Sequence, residues 1–221
     1  DDVVVGLPTS GRSRAEFAPL VGYFVNPVPV RGDLSSNPRF DDFVEQIRTR
    51  CLEALEHQDF PLSVMVDRLH PDRDPSRSTL FQAAFVMQKA QVMHEQGLTP
   101  FLMGQSGASL EFADLEFESM TLEQWVAQLD LSMAASEADG GTPLGLQYPT
   151  DLFDESTAER FLDRYELMLR QVVESPSCRL SEIDIRTDRD REILHCLNAT
   201  EATAASSQLV HERIADQCRK T

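Results

Sequence analysis

Positive charge is scarce in this chain. Its 20 Lys and Arg stand against 37 Asp and Glu, a formal charge of -17. Gripping a nucleic-acid backbone needs clustered cations that neutralise phosphates, and an anionic membrane surface asks for the same. The balance argues against both nucleic acid and membrane as partners, and the acid excess reads as a solvated surface. Long apolar runs are also missing, none approaching the ~20 residues of a transmembrane helix. Asp1-Asp2 opens straight into Val3-Val4-Val5, without the basic segment that starts a signal peptide. No initiator Met precedes them, so the start reads as the interior of a longer chain. Cysteine is sparse. Cys51, Cys178, Cys196 and Cys218 lie far apart with no C-x-x-C pair, which points away from zinc and from a disulfide scaffold. A reduced, cytoplasmic setting is expected. Asn198-Ala199-Thr200 fits a glycosylation sequon but, lacking a secretory signal, reads as chance.

Catalytic patterns are lacking as well. The five His, at 57, 70, 94, 195 and 211, include no pair at the i, i+3 or i, i+4 spacing of a metal site. No G-x-G-x-x-G or P-loop occurs. Gly104-Gln105-Ser106-Gly107-Ala108 approaches a nucleophile elbow, but Ala108 stands where the last Gly belongs and the strand-to-helix context is missing. No catalytic residue is assigned, and neither a metal nor a directly bound cofactor is expected.

What is present is a 41% hydrophobic fraction, enough for a real core, in a length that suits one large domain or two small ones. Asp2 to Leu7 reads as a strand ending at the turn cluster Pro8-Thr9-Ser10-Gly11-Arg12. Tyr23 to Arg31 reads as a second extended segment. Pro27 and Pro29 cannot donate to a ladder and push it toward an edge, a bulge or an irregular loop. Residues 38–57 carry Phe40, Phe43, Val44, Ile47, Cys51 and Leu55 at helical spacing, with Asn37 as candidate cap and Pro38 at the first helical position. On that apolar face Cys51 is most simply a core thiol. A short helix, Leu62 to Leu69, should follow. Leu80 to Gln88 reads as a buried central strand, and Leu110 to Phe117 as one extended segment. Leu129 to Met133 and Leu144 to Tyr148 alternate around Gly140-Gly141, predicting a hairpin. Residues 155–174 repeat apolar positions at helical spacing behind Asp154, their expected cap. From Pro176 polar residues dominate. Residues 177–208 read as a linker and 209–221 as the opening of a following domain.

Three short segments remain as site candidates. Asn26, set between apolar residues and next to Pro27, needs its amide paired. Either it fixes a loop or it faces a substrate channel. Arg31 closes the same segment. His57, beside Gln58 and Asp59, sits where it can help the last carbonyls of a helix. Arg73, Asp74, Ser76 and Arg77 suit a local turn with an Asp–Arg pair ahead of the central strand.

Taken together these segments resemble the condensation domains of nonribosomal peptide synthetases. Val21-Gly22, Phe24-Val25-Asn26 and Arg31 match a family segment in which Pro27 here replaces Thr. His57-Gln58-Asp59 and Pro61 match a second, with Phe60 for Tyr and Leu62-Ser63 for Phe-Glu. Arg73-Asp74, Ser76-Arg77 and Leu80 match a third, with Ser78-Thr79 for Asn-Pro. Leu129-Asp130-Leu131 and the run Tyr148 to Asp154 look like the family's late segments. The family's His-His-x-x-x-Asp-Gly motif, which belongs to its N-terminal lobe, is nowhere in these residues. The resemblance over about 2–175 therefore implies the C-terminal lobe of a chloramphenicol-acetyltransferase-like fold, an α/β (α+β) two-layer lobe with a mixed sheet flanked by helices. Residues 190–221 resemble the junction to an adenylation domain. The implied partners are the N-terminal lobe, upstream and downstream carrier-protein domains and an adenylation domain. The implied chemistry is amide formation between substrates carried as thioesters on phosphopantetheine arms. Asn26 and Arg31 would order a loop lining the tunnel between lobes, and Gly22, Phe24, His57, Gln58, Asp59, Arg73, Asp74, Ser76 and Arg77 would be structural residues of the matched segments. Two other readings are a noncatalytic platform that docks adenylation and carrier domains, and a free-standing acyltransferase of the same superfamily, which the linker disfavours.

Overall fold

The computed structural model describes residues 2–69, 74, 76–88, 101, 103–104, 106–112, 114–121, 126–136, 141–200 and 209–220. They divide into two compact units, Asp1–Ile185 and Arg186–Thr221.

The first unit is built on a mixed five-stranded sheet. In chain order its strands are β1 (Asp2–Thr9), β2 (Asn26–Asp33), β3 (Ala83–Gln88), β6 (Leu131–Ser136) and β7 (Leu144–Gln147), and in space they run β2-β1-β3-β6-β7. β1 and β2 are antiparallel in unbroken register from Asp2↔Asp33 to Thr9↔Asn26. β3 is parallel to both β1 and β6, and β6 returns antiparallel into β7, the pairing that the alternation around Gly140-Gly141 predicts. β2 begins at Asn26, so residues 23–25 lie ahead of the strand. Its two prolines do not interrupt the ladder, because β2 is an edge. Proline positions two apart turn their missing donors to one side of the strand, and an edge strand has a side without a partner. β3 is central, as expected, yet only half-buried along its length. The deeply buried side chain is Phe81, just before it, 4% exposed. Its ring lies over β1 at Gly6, where a Cβ would come within 2.3 Å of the ring, so only glycine admits this packing.

Helix α1 (Phe40–Glu56) packs against β2, with Phe43 and Ile47 closing over Gly32, and α2 (Leu62–Leu69) follows it. Cys51 is half-buried on α1, and that burial raises its thiol pKa. Helix α3 (Glu155–Glu174) lies by β7 and buries Ala158 and Val172. Asp154 caps it as the sequence indicates, its carboxylate accepting from the Thr157 N–H at 2.7 Å. That bond and its neighbour from Ser156 hold the Asp154 carboxyl below its ordinary range.

Two expectations are corrected. Asn37 does not cap α1 and Pro38 is not its first residue. Arg39 is the N-cap and makes no side-chain cap bond. The orphan donors of the first turn are met instead from far along the chain. Phe40 N–H donates to the Cys178 carbonyl at 2.8 Å, and Asp41 N–H to that of Pro176 at 2.9 Å. Asn37, at φ 48, uses its amide on Ser181, accepting from its N–H at 3.0 Å and donating to its hydroxyl at 2.8 Å. The compact unit thus takes in the start of the stretch read as linker. The second correction concerns residues 110–117. They split into β4 (Ser109–Phe112) and β5 (Leu115–Glu118), a separate antiparallel pair, turning through Asp114 at φ 63. Aspartate tolerates the left-handed region better than most residues.

In the second unit, α4 (Asp188–Asn198) starts at a capping box between Thr187 and Asp190, and α5 is Val210–Lys220. No helix among the described residues is long and apolar enough to cross a membrane.

Candidate functional site: the corner between β2 and the α1–α2 turn

The structure brings the first two sequence segments together at one residue. Asn26, at the start of β2, donates through Nδ2 to the carbonyls of Gln58 at 2.8 Å and Phe60 at 2.9 Å. Its Oδ1 accepts the Leu62 N–H at 3.1 Å. An amide has two donors and an acceptor to satisfy. Here all are engaged by backbone of the turn from α1 into α2. Behind it, the hydroxyl of Thr9, buried at 5% exposure, donates to the Asn26 carbonyl at 2.7 Å. Through these contacts the Asn26 side chain holds the backbone of the turn.

The turn has further holds. His57 is the C-cap of α1, and its Nδ1 lies 2.9 Å from the Glu53 carbonyl. Asp59 accepts from the Ser13 hydroxyl at 2.9 and 3.1 Å. The Arg68 guanidinium stands 5.3 Å from the Phe60 ring centre.

The loop between β1 and β2 is ordered around Phe24. Its ring stacks on Phe17 at 5.8 Å, and the Arg12 guanidinium lies over it at 4.5 Å. Arg12 also donates to the carbonyls of Phe17 and Gly22. Gly11, at φ +62, brings its backbone so near that a Cβ would meet the Phe24 carbonyl oxygen at 1.8 Å. Past this knot, Val21 and Tyr23 stand in solvent, 104% and 87% exposed, with Leu20 and Val25 partly so.

Arg31 is not part of this corner. It sits opposite Val4 in the ladder, five residues or roughly 16 Å along the strand from Asn26 at about 3.3 Å per residue. There it pairs with Asp2, the Arg31 side chain mostly in water and that of Asp2 nearly half so. Arg73 falls outside the described residues. Asp74, Ser76 and Arg77 make the local turn expected of them. Asp74 Oδ1 accepts from the Ser76 N–H at 2.9 Å and hydroxyl at 2.6 Å, bonds that lower its pKa. Arg77 lies 3.8 Å from the other oxygen.

Sequence reasoning overlooked Thr9, Arg12, Ser13 and Phe17. For Thr9 and Arg12 the signal was the cluster Pro8-Thr9-Ser10-Gly11-Arg12, which read only as punctuation. No group of His, Cys, Asp and Glu among the described residues is placed to hold a metal ion. A groove of about 430 Å³ between β7 and α3, lined by Thr142, Leu144, Leu162, Asp163, Glu166 and Leu169, includes none of the motif residues.

These features can be set beside known proteins. Tyrocidine synthase 2 of Brevibacillus parabrevis is 34% identical over 194 residues, which cover 88% of this chain and 5% of that protein. Surfactin synthase subunit 2 of Bacillus subtilis (strain 168) is 32% identical over 93% of this chain and 5% of its own length. The chain therefore spans only a few per cent of such relatives. Among solved structures, the four-domain nonribosomal peptide synthetase holo-AB3403, bound to AMP and glycine, superposes with a TM-score of 0.83 at 25% identity over 99% of this chain and 17% of that one. The X-domain in complex with OxyB from teicoplanin biosynthesis gives 0.68 at 27% identity over 85% and 38%. The mixed sheet with its flanking helices is the chloramphenicol-acetyltransferase-like fold of such domains. The family model of the condensation domain matches residues 1–195, and the chain belongs to that family.

Proposed function

We propose that this chain is the C-terminal lobe of a condensation domain that joins a carrier-bound acyl or peptidyl donor to a carrier-bound aminoacyl acceptor in nonribosomal, or hybrid polyketide-peptide, biosynthesis. In this reading the two substrates arrive as thioesters on phosphopantetheine arms of carrier proteins, the acceptor amine attacks the donor carbonyl, the thiolate leaves and an amide forms. The carrying observation is the Asn26 corner, where residues of two family segments meet in one hydrogen-bonded turn. Holding two reactants in register is a large part of the acceleration of such a step, and a backbone-gripping amide is suited to that work. The lobe contributes walls and positioning. The His-bearing motif is supplied by the N-terminal lobe. Residues 177–208 then lead toward an adenylation domain that begins near 209, and the assembly works in the cytoplasm.

Reconstitution tests this. The synthetase containing this lobe, given both carrier-bound substrates, should release amide product, and the 221-residue chain alone should not, since removing a catalytic acid–base group typically costs ~10²–10⁴-fold. Amide formation by the isolated chain, or none by the whole synthetase, refutes the proposal. A second reading is favoured by one observation, the likeness to an X-domain solved in complex with OxyB. In that reading this lobe is a noncatalytic platform docking its neighbours, and a synthetase that assembles and loads its carriers but forms no amide at this domain is the outcome expected.

A further inference from the structure

The loop between β1 and β2 presents a contradiction in ordinary packing terms. It carries Leu20, Val21, Tyr23 and Val25 into solvent, yet it is cross-linked by ring and polar contacts. One cation supplies several of these contacts. The Arg12 guanidinium lies over Phe24 at 4.5 Å and donates to the carbonyls of Phe17 and Gly22, three points spread along the loop. The adjacent residue, Ser13, reaches 46 positions onward to the Asp59 carboxylate. Thr9, at the end of β1, holds the Asn26 carbonyl. A single short stretch, 9–13, thus grips both the loop and the turn that Asn26 fixes.

We infer that Arg12 is a positioning residue for amide formation, holding the 14–25 loop in one geometry while its neighbour Ser13 ties that stretch to the 57–62 turn through Asp59. The inference rests on the function proposed above. Several features set Arg12 apart from a residue of the general scaffold. The buried core lies elsewhere, in Val28, Val30, Phe81, Ala135, Ala158 and Val172, and none of these contacts Arg12 through the bonds described. Its partners are confined to the loop, so its loss should free that loop locally without unfolding the sheet. Arginine suits the place because a planar fork can stack on a ring while its edges reach two carbonyls. Lysine keeps the charge but has no such plane.

The test uses the whole synthetase with both carrier-bound substrates. Arg12→Lys and Arg12→Ala should lower kcat about tenfold or more, as misplacement of about 1 Å can cost up to 10²-fold. KM for either carrier-bound substrate and the thermal midpoint should stay unchanged. Ser13→Ala, an exposed change with little to threaten folding, should lower kcat in the same sense by a smaller factor. A wild-type synthetase that makes no amide refutes the underlying function. If the wild type is active and the Arg12 variants match it, or fall only with their folded fraction, or lose efficiency through KM alone, the positioning role is refuted while the function stands.

Discussion

The two ends of strand β2 resemble each other in sequence and differ in physics. Each carries a polar residue at the boundary of an apolar run, and a pattern reading pairs them. At one end Asn26 is half-buried, and its amide is fully spent on the backbone of a turn that lies 32 to 36 residues on. At the other, Arg31 meets Asp2 across the antiparallel ladder with its side chain 70% exposed. The first interaction replaces water for three backbone groups and fixes where α2 departs from α1. The second competes with water for two charges already well solvated, and such pairs are worth about 0–1 kcal/mol. Proximity along a strand says nothing of shared work, since five residues extended is a long way across a small domain.

The largest effect expected from breaking this asymmetry is at Asn26. Asn26→Ala leaves the Gln58 and Phe60 carbonyls and the Leu62 N–H without their partner, a loss of about 1–3 kcal/mol if they stay dry. Thermal unfolding should fall accordingly, and single-turnover amide formation in the whole synthetase should fall further than the folded fraction does. Asn26→Asp sharpens the point. The shape is kept and the acceptor for Leu62 survives, but an oxygen then faces two carbonyl oxygens. It should do no better than alanine. Turnover that tracks the folded fraction in both variants would make Asn26 scaffold alone and remove it from the site.

Thr9 gives an intermediate case on the same end of the strand. Thr9→Val keeps the β-branched shape that a strand favours and removes one hydroxyl from a buried position. The Asn26 side-chain bonds remain, and its carbonyl loses a partner. The expected cost is about 1 kcal/mol in chemical denaturation, with a turnover loss below that of Asn26→Ala. An equal or greater loss would mean that the hold on β1, rather than the amide, governs the corner.

How far this arrangement is readable in sequence depends on the distance over which each part is decided. Helices α1 and α3 are legible because their apolar spacing and, for α3, the Asp154 cap are local facts. The β6–β7 hairpin is legible from alternation flanking Gly140-Gly141. The start of α1 is not, because its first donors are met by the carbonyls of Pro176 and Cys178, and no local pattern announces a cap that arrives from so far along the chain. Residues 110–117 read as one strand because Asp114 carries no glycine-like warning of a left-handed turn. At the corner itself, Asn26 and the His57-Gln58-Asp59 segment are visible singly as polar residues in odd places. Their meeting is a product of how α1 folds back over β2. Arg12 was hidden by sitting in a turn cluster, where polar residues need no further reason, and Ser13 by following it directly.

Arg31 supplies the smallest expected effect and the sharpest limit on the comparison. Arg31→Ala removes an exposed ion pair with Asp2 from the end of an antiparallel ladder whose eight residue pairs otherwise remain. Stability should change by less than about 1 kcal/mol, and the change should shrink toward zero as salt is raised, because exposed charges are screened within about 10 Å at 0.1 M ionic strength. Asp2→Ala should give the same small value, and the double variant no more than either alone, since each single change already removes the pair. Turnover measured on the same Arg31 variant then carries separate information. With folding untouched, a turnover equal to wild type confines the site to the Asn26 end of the strand. A loss comparable to that of Asn26→Ala would mean that Arg31 works on something other than Asp2 in the assembled enzyme, and the two ends of β2 would have to be joined again as one functional edge.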